Sequence, residues 1–405
     1  MNIRVAIAFD NFGPYHVARL AGAARHMDVL AVETAVTSGQ YDWDSPDIPS
    51  GLGRAVLFDK EADIGRASLG ATIDRKLSPF SPDAVAIPGW STATSLAIAA
   101  WAAARGVPVI AMSESNGWDF GRNPAREFVK RRIAEYFTAG FCTSDGQAEY
   151  LHALGLASQA IFRGYNAVDN GYFAREAARA KSAAMPAGDH GPLPETARSR
   201  YFLASCRFVE KKNLARMLEA YCRFREDRGD DPGDWPLVLL GDGELRPELE
   251  AQRTTLGLSA HVHMPGFRQY HELPAYYGSA GCFVHASTTE QWGLVVNEAM
   301  AAGLPVIVSN RCGCAPVLVR EGVNGHSFAP DNVDALAAAM RAIAAQGDDT
   351  AMRDASRALV ADWGPDRFGQ GMADAVRYGM AAPPARPSLA ARAAMRLVSA
   401  RLALR

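Results

Sequence analysis

FVHASTTEQWGLVVNEAMAAGLPVIVSNRCGCAPVLVREGVNGHSF, residues 283–328, alternates β-branched runs with one helical run. Phe283 continues a strand that spans Cys282–His285, and Ser287, Thr288, Thr289 and Glu290 form the loop after it. Gly293 starts a helix to about Ala302; Gly303 and Pro305 stop it and open the next strand, Pro305–Ser309. The helix begins at the carboxyl end of a strand. Its free backbone N–H groups at Gly293, Leu294 and Val295 favour an anion there. Glu290 precedes the helix and Glu298 sits in its second turn. Two carboxylates fit poorly with phosphate itself, but they accept well from the vicinal hydroxyls of a ribose or a sugar. Taken singly, Glu290 would serve the helix dipole and Glu298 a solvated face.

The same alternation extends outward in both directions. Upstream in the second half, strands are expected at Tyr201–Cys206, Leu237–Leu240 and His261–Met264. In the first half they are expected at Ile3–Phe9, Val29–Val36, Ala84–Pro88, Val107–Met112 and Ala139–Thr143, with helices after most of them. Strands that alternate with helices predict a parallel sheet covered on both faces. Ala174–Arg200 lacks periodicity and contains PAGDHGPLPE, so it reads as a linker or surface loop. The expected organisation is a first domain over 1–173, a linker over 174–200, a second domain over 201–361, a helix over 362–380 and a tail over 381–405. In such sheets ligands bind beyond the carboxyl ends of the strands. Two doubly wound α/β domains facing each other would share one cleft.

Composition narrows the chemistry. The chain has 405 residues, 48% of them hydrophobic, enough for two cores. With 42 basic and 44 acidic side chains the net charge is −2, which gives no global attraction to nucleic acid. The six cysteines, Cys142, Cys206, Cys222, Cys282, Cys312 and Cys314, are scattered, mostly through apolar runs, and read as free thiols. Cys312 and Cys314 are too close together for the usual zinc spacing, so no metal site follows. The N-terminus reads as a strand instead of a signal peptide, and Ser91–Met112 is broken by Arg105, Gly106 and Pro108. A cytoplasmic placement is the default expectation.

Glu290 and Glu298, with seven residues between them inside EQWGLVVNEAMAAGLPVI, resemble the E-x7-E signature of retaining nucleotide-sugar glycosyltransferases of family four. SCRFVEKKN at 205–213 is similar to that family's loop after the first strand of its second domain. LVLLGDGELR at 237–246, VHMPGF at 262–267 and VNGHSFAPDN from Val323 are similar to later segments, in the family's order. The resemblance implies a GT-B fold, two doubly wound Rossmann-like domains facing across a cleft, with the donor bound chiefly by the second. By that analogy Arg207 and Lys212 hold the diphosphate, Glu298 the ribose hydroxyls and Glu290 the transferred sugar. Gly266, Phe267 and Arg268 form the base pocket. A guanidinium fork and an ammonium point charge both suit a pyrophosphate and the charge that develops on a leaving group. This sequence departs from the pattern at Cys206, where a glycine is usual. It departs again at Gly313-Cys314, where two glycines are usual, and at Val317, where an acid is usual.

The first half supplies fewer signals. Gly13 lies in the loop Asp10–Pro14, where the family places a loop near the diphosphate, and permits close backbone approach. His16 reads as a contact to acceptor or phosphate, or as a helix-surface histidine. Glu114, in MSESN at 112–116 with Asn116, stands where many family members carry a histidine near the reacting sugar. It suits contact with hydroxyls or work as a base on the acceptor, or else it caps the next segment. Trp90 reads as a stacking platform for a sugar or as core. YNAVDNGYF from Tyr165 resembles the segment that ends the family's first domain. Asp42-Trp43-Asp44 contains a D-x-D without its usual context and reads as chance.

Beyond Pro387, SLAARAAMRLVSARLALR is a basic, amphipathic helix pattern carrying Arg392, Arg396, Arg401 and Arg405. It reads either as a contact to an anionic inner-membrane face or as a terminal helix packed on the protein. The expected function is retaining transfer of a hexosyl-type sugar from a nucleotide-diphosphate donor, expected to be a UDP-sugar, to a hydroxyl. The acceptor is a carbohydrate, lipid-linked or small molecule, in surface polysaccharide or glycolipid assembly. No cofactor and no metal are expected. A sugar-nucleotide epimerase or hydrolase, and a non-catalytic sugar-nucleotide binder, are the alternatives.

Overall fold

The computed structural model describes residues 2–37, 47–49, 51–60, 63, 69–117, 121–180, 200–226, 235–347 and 350–402. The D-x-D triplet and most of the expected linker lie outside them. The first stretch of chain carries β1 (Arg4–Phe9), α1 (Pro14–Ala24), β2 (Asp28–Thr37), β3 (Gly53–Lys60), α2 (Leu69–Leu77), β4 (Ala84–Ile87), α3 (Ala93–Ala104), β5 (Val109–Met112), α4 (Pro124–Ala134), β6 (Ala139–Cys142), α5 (Asp145–Ala153) and β7 (Ile161–Arg163). Then follow α6 (Asn170–Ala180), β8 (Phe202–Ser205), α7 (Leu214–Glu226), β9 (Leu237–Leu240), α8 (Arg246–Thr255), β10 (Val262–Gly266), α9 (Leu273–Ser279), β11 (Cys282–His285), α10 (Leu294–Ala301), β12 (Val306–Ser309), α11 (Ala315–Leu318), β13 (Gly325–Phe328), α12 (Val333–Gln346) and α13 (Thr350–Val360). The chain ends with α14 (Pro365–Ala381) and α15 (Leu389–Leu402).

These elements form two compact units, one of Met1–Val168 with Trp363–Arg405, the other of Asp169–Asp362. The first holds a seven-stranded sheet in the order β3-β2-β1-β4-β5-β6-β7, the second a six-stranded sheet in the order β10-β9-β8-β11-β12-β13. Neighbouring strands run parallel throughout, for example Val5 beside Val29 and Ala84, and Phe283 beside Val306. The inner strands are buried on both faces. In β1 the odd residues Val5, Ile7 and Phe9 enter one core and the even residues Ala6 and Ala8 the other. That is why these strands read as continuous apolar runs. In both sheets the winding direction reverses once, at β1/β4 and at β8/β11. Loops there diverge to opposite faces and leave a crevice beyond the strand ends.

The division falls at Val168, not at 173. Asn170–Ala180, expected to run into an irregular linker at 174, is a helix of the second unit. There Phe173 packs edge-on against Tyr277 with centroids 5.7 Å apart, and a Cβ on Gly278 would come within 2.3 Å of the Ala177 carbonyl oxygen. Residues 363–402 return to the first unit. α14 crosses α1 at bare backbone: a Cβ on Gly22 would lie 2.0 Å from the Pro365 oxygen, and one on Gly369 2.3 Å from the Gly22 oxygen. Phe368 completes the contact against Phe141, at 5.2 Å. α15 starts where the Ser388 N–H donates to Glu135 Oε2 at 2.9 Å, and it buries Ala391 and Met395 in the core that includes α3. Three strands escaped the sequence reading, β3, β7 and β13, and each is a sheet edge.

Because the α1–α14 crossing has no room for a side chain, Gly22→Val should destabilise the first unit by about 3 kcal/mol or more. A calorimetric melt should show one transition shifted and the second unit's melting unchanged.

Candidate active site

In the second unit the functional side chains come from the two loops that flank the reversal point. The loop after β8 runs Cys206–Asn213 and closes with one turn of 3-10 helix, Glu210–Lys212. Asn213 then takes a left-handed conformation at φ 60° and starts α7. Its buried amide donates to the carbonyls of Ala286, at 3.1 Å, and Pro330, at 2.7 Å. The Thr288 N–H donates to the Lys211 carbonyl at 2.9 Å. These bonds fasten the loop after β8 to the loop after β11.

Glu290 stands at their junction. Lys212 Nζ donates directly to its Oε2, Lys211 Nζ lies 3.8 Å from Oε1, and His285 Nε2 lies 3.6 Å from Oε2. The Glu290 backbone is pinned by Arg311 and Gly313, whose hydrogen bonds measure 3.1 and 3.0 Å. Burial opposes its charge, but the His285 contact and the Lys212 ammonium outweigh that and hold the carboxyl well below the usual range. Burial likewise opposes the charge on Lys212, and Glu290 more than offsets it, so the amine is raised. Burial lowers His285. The cluster therefore holds a carboxylate and an ammonium, beside an imidazole that burial biases toward its neutral form. Arg207, in the same loop after β8, is exposed and makes no ion pair among the described residues.

Gly293 caps α10 at φ 102°, a conformation that glycine adopts without strain. Leu294 and Val295 form the first turn, whose N–H groups have no carbonyl within the helix to bond. Glu298 is not a solvated residue. It is fully buried, and the Tyr277 hydroxyl donates to its Oε2 at 2.7 Å. The loops after β9 and β12 support this arrangement by close approach. A Cβ on Gly241 would lie 1.9 Å from the Cys206 oxygen and one on Gly313 2.1 Å from the Gln291 oxygen. Arg246 ties Asp242, at 2.9 Å, to the Gly241 carbonyl, at 3.1 Å. Gly266 ends β10 at φ 97°, and Phe267 is half-buried. Arg268 corrects the base-pocket expectation. Its guanidinium is buried and occupied by Tyr276 Oη, Phe267 O and Pro265 O, so it braces its own loop.

In the first unit the expected residues divide differently. Gly13 is the N-cap of α1 at φ −118° with room for a Cβ, so the fold itself makes no demand for glycine there. The Gly13 N–H donates to His16 Nδ1 at 3.0 Å, and the His16 ring rests 4.4 Å from that of Phe9. Burial, with Arg19 nearby, lowers His16 to about 3. It is thus a neutral ring, with Nδ1 engaged and its proton on Nε2, and not a phosphate-binding cation. Glu114 is half-buried and, like Asp10, acts electrostatically on Tyr165. The next helix, α4, is capped instead by Asn123, whose Oδ1 accepts from Ala125 at 3.0 Å. Asn116 is wholly buried and its carbonyl accepts from Arg122, which places it in the scaffold. Trp90 stacks on Phe137 with centroids 6.1 Å apart, the core role.

Sequence reasoning passed over His285, Lys211, Asn213 and Glu33. Glu33 is a buried carboxylate in β2 that accepts from the Phe12 N–H at 2.7 Å and pairs with Arg54. A histidine and a glutamate inside apolar strands, His285 and Glu33, were the available signals. All six cysteines are free. Among the described residues no group of His, Cys, Asp and Glu could hold a metal ion.

Residues 189–358, covering most of the second unit, match the family described as glycosyl transferases group 1. Among curated relatives, the chain is 31% identical over 122 residues to alpha-monoglucosyldiacylglycerol synthase of Acholeplasma laidlawii, covering 30% of this chain and 29% of that protein. It is 32% identical over 157 residues to the lipopolysaccharide core biosynthesis glycosyltransferase LpsE of Rhizobium meliloti (strain 1021), covering 39% of this chain and 43% of that one. These alignments span less than half the length of each relative. Among solved structures, HepE of Anabaena in complex with UDP and glucose aligns at TM-score 0.68 and 17% identity over 92% of this chain and 98% of its own. Sucrose-phosphate synthase of Thermosynechococcus elongatus aligns at TM-score 0.68 and 17% identity over 91% and 97%. Together with the two parallel sheets, these likenesses give the chain the GT-B fold.

A carboxyl whose folded pKa is lowered adds stability that is complete above its unfolded value and is lost as pH falls below it. For Glu290 that loss begins as pH drops through about 4.5. Glu290→Gln should therefore flatten the acid limb of Tm measured between pH 2.5 and 7. An unchanged acid limb contradicts the assigned charge state.

Proposed function

We propose that the chain is a glycosyltransferase that moves a sugar from a nucleoside diphosphate donor, with UDP-sugars the favoured class, to a hydroxyl of a glycolipid or polysaccharide acceptor. The observation that carries this reading is the cluster at the β8/β11 reversal. There Lys212 and Lys211 bracket an ionised Glu290, and the same loop after β8 carries the exposed Arg207. Three cations at the strand ends suit a diphosphate, and a carboxylate among them suits the hydroxyls of the attached sugar. The group 1 match over the same residues supports the reaction class. The relatives named for glucosyldiacylglycerol and lipopolysaccharide core synthesis support the acceptor class.

In this reading the bond between the sugar's anomeric carbon and the diphosphate oxygen breaks while a bond to the acceptor oxygen forms. The acceptor proton passes to the departing phosphate. Arg207 and Lys212 take up the charge left on that phosphate, and Glu290 orients the sugar through its hydroxyls. Glu298, whose Oε2 accepts from Tyr277, is assigned to the ribose hydroxyls on the strength of the family-four resemblance, and Phe267 and Gly266 border the base. Retention of configuration follows from the resemblance of the Glu290–Glu298 spacing to the family-four signature. Charge neutralisation by these side chains and the α10 N-terminus leaves no step that requires a metal. Acceptor contacts are assigned to the first unit, to Glu114 and to the Nε2–H of His16. His16, neutral above its value of about 3, puts no break in a pH–rate profile between pH 5 and 8.

The test pairs UDP titration with turnover of a donor panel. Arg207→Ala and Lys212→Ala should each lower kcat/KM about a hundredfold. Glu290→Gln should lower kcat while UDP affinity stays within a few fold, and Glu298→Ala should weaken UDP binding about tenfold. Undiminished turnover in Glu290→Gln and Arg207→Ala refutes the site. Donor conversion without an acceptor identifies an epimerase or hydrolase. Tight UDP binding without any turnover identifies a binding protein.

A further inference from the structure

Five large hydrophobic side chains are exposed among the described residues, and three of them, Phe128, Leu389 and Leu397, lie on α4 and α15, which pack together. α15 has two apolar stripes. Ala391, Met395, Val398 and Leu402 face the core, so part of the tail's apolar pattern is already used in docking to the protein. The opposite stripe is formed by Leu389, Ala393, Leu397 and Ala400, all exposed, with Leu389 84% and Leu397 69% accessible. At 100° per residue, Arg392 and Arg396 flank it on one side and Arg401 on the other. All three are exposed, and residues 386–402 contain four arginines and no carboxylate. Neighbouring α4 adds Arg126 and Arg131, both exposed, and Arg132 over the Phe128 ring at 5.4 Å. The acids nearby are spent. Glu127 is paired with Arg122 and Lys130, and Glu135 with Arg132 and the Ser388 N–H.

We propose that this α4–α15 face seats the first unit on an anionic lipid surface. Single apolar side chains alternating with arginines suit insertion between headgroups, with each guanidinium left at phosphate level. A protein interface would need a contiguous apolar centre with few charges. A second copy of the chain would set arginine against arginine. The proposal is independent of the transfer reaction, since none of these residues belongs to the donor cluster.

The test is co-sedimentation of the full chain with vesicles of phosphatidylcholine alone, or of phosphatidylcholine mixed with phosphatidylglycerol. The anionic vesicles should bind at least about tenfold more strongly, and high salt should weaken that binding. The double variant Leu389→Asp/Leu397→Asp and, on the other helix, Phe128→Asp should each lose most of it. Both should keep the wild-type melting temperature and UDP affinity. Equal binding to neutral and anionic vesicles overturns the proposal. So does full retention in both aspartate variants, or self-association without vesicles that the same variants abolish. Loss of UDP binding in the donor-cluster variants with vesicle binding intact would leave this proposal standing while the donor reading is judged separately.

Discussion

The ion pair between Lys212 and Glu290 joins residues 78 apart in the chain, and its burial sets the terms for everything around it. Each partner is mostly covered, and a buried pair is tolerable only when the geometry is held and the remaining polar atoms are occupied. The surrounding structure meets those conditions by backbone contact. Asn213 turns left-handed so that its amide can reach Ala286 and Pro330. The loop bearing Glu290 lies so close to Gly313 that no side chain fits between. Gly241 does the same against Cys206 on the other side. Small residues here are thus consequences of the charge pair's confinement.

Much of this was legible because a parallel sheet writes itself into sequence as uninterrupted apolar runs, such as Leu237–Leu240 and Cys282–His285. Gly293 and Gly303 bracket α10 as expected. The strands that escaped notice, β3, β7 and β13, are edges with neighbours on one side only. GRAVLFDK and GHSF carry the polar residues that half-open positions tolerate, so their signal is diluted.

Side-chain roles were less legible than elements, for a different reason. Whether an arginine binds a ligand depends on which carbonyls stand within reach, and Arg268 spends its fork on Pro265, Phe267 and Tyr276. Glu298 and Tyr277 meet across 21 residues of chain, a contact that no local pattern announces. Arg207 and Lys212 lie in one short charged loop, yet one is solvated and the other buried in an ion pair. Only the return of the β11 loop over the second of them makes that difference.

The first unit is closed by the last helices of the chain, with α14 laid backbone to backbone on α1 at Gly22 and Gly369. The second unit is therefore an insertion, with its residues translated before the partner helices of the first. During synthesis, residues 169–362 emerge with every element of their own core present. The earlier half must wait, with the α1 face that covers Val5, Ile7 and Phe9 only partly covered. The ribosome thus delivers these residues in an order that completes the middle before the beginning, and the first half is the part that most needs shelter until α14 and α15 emerge.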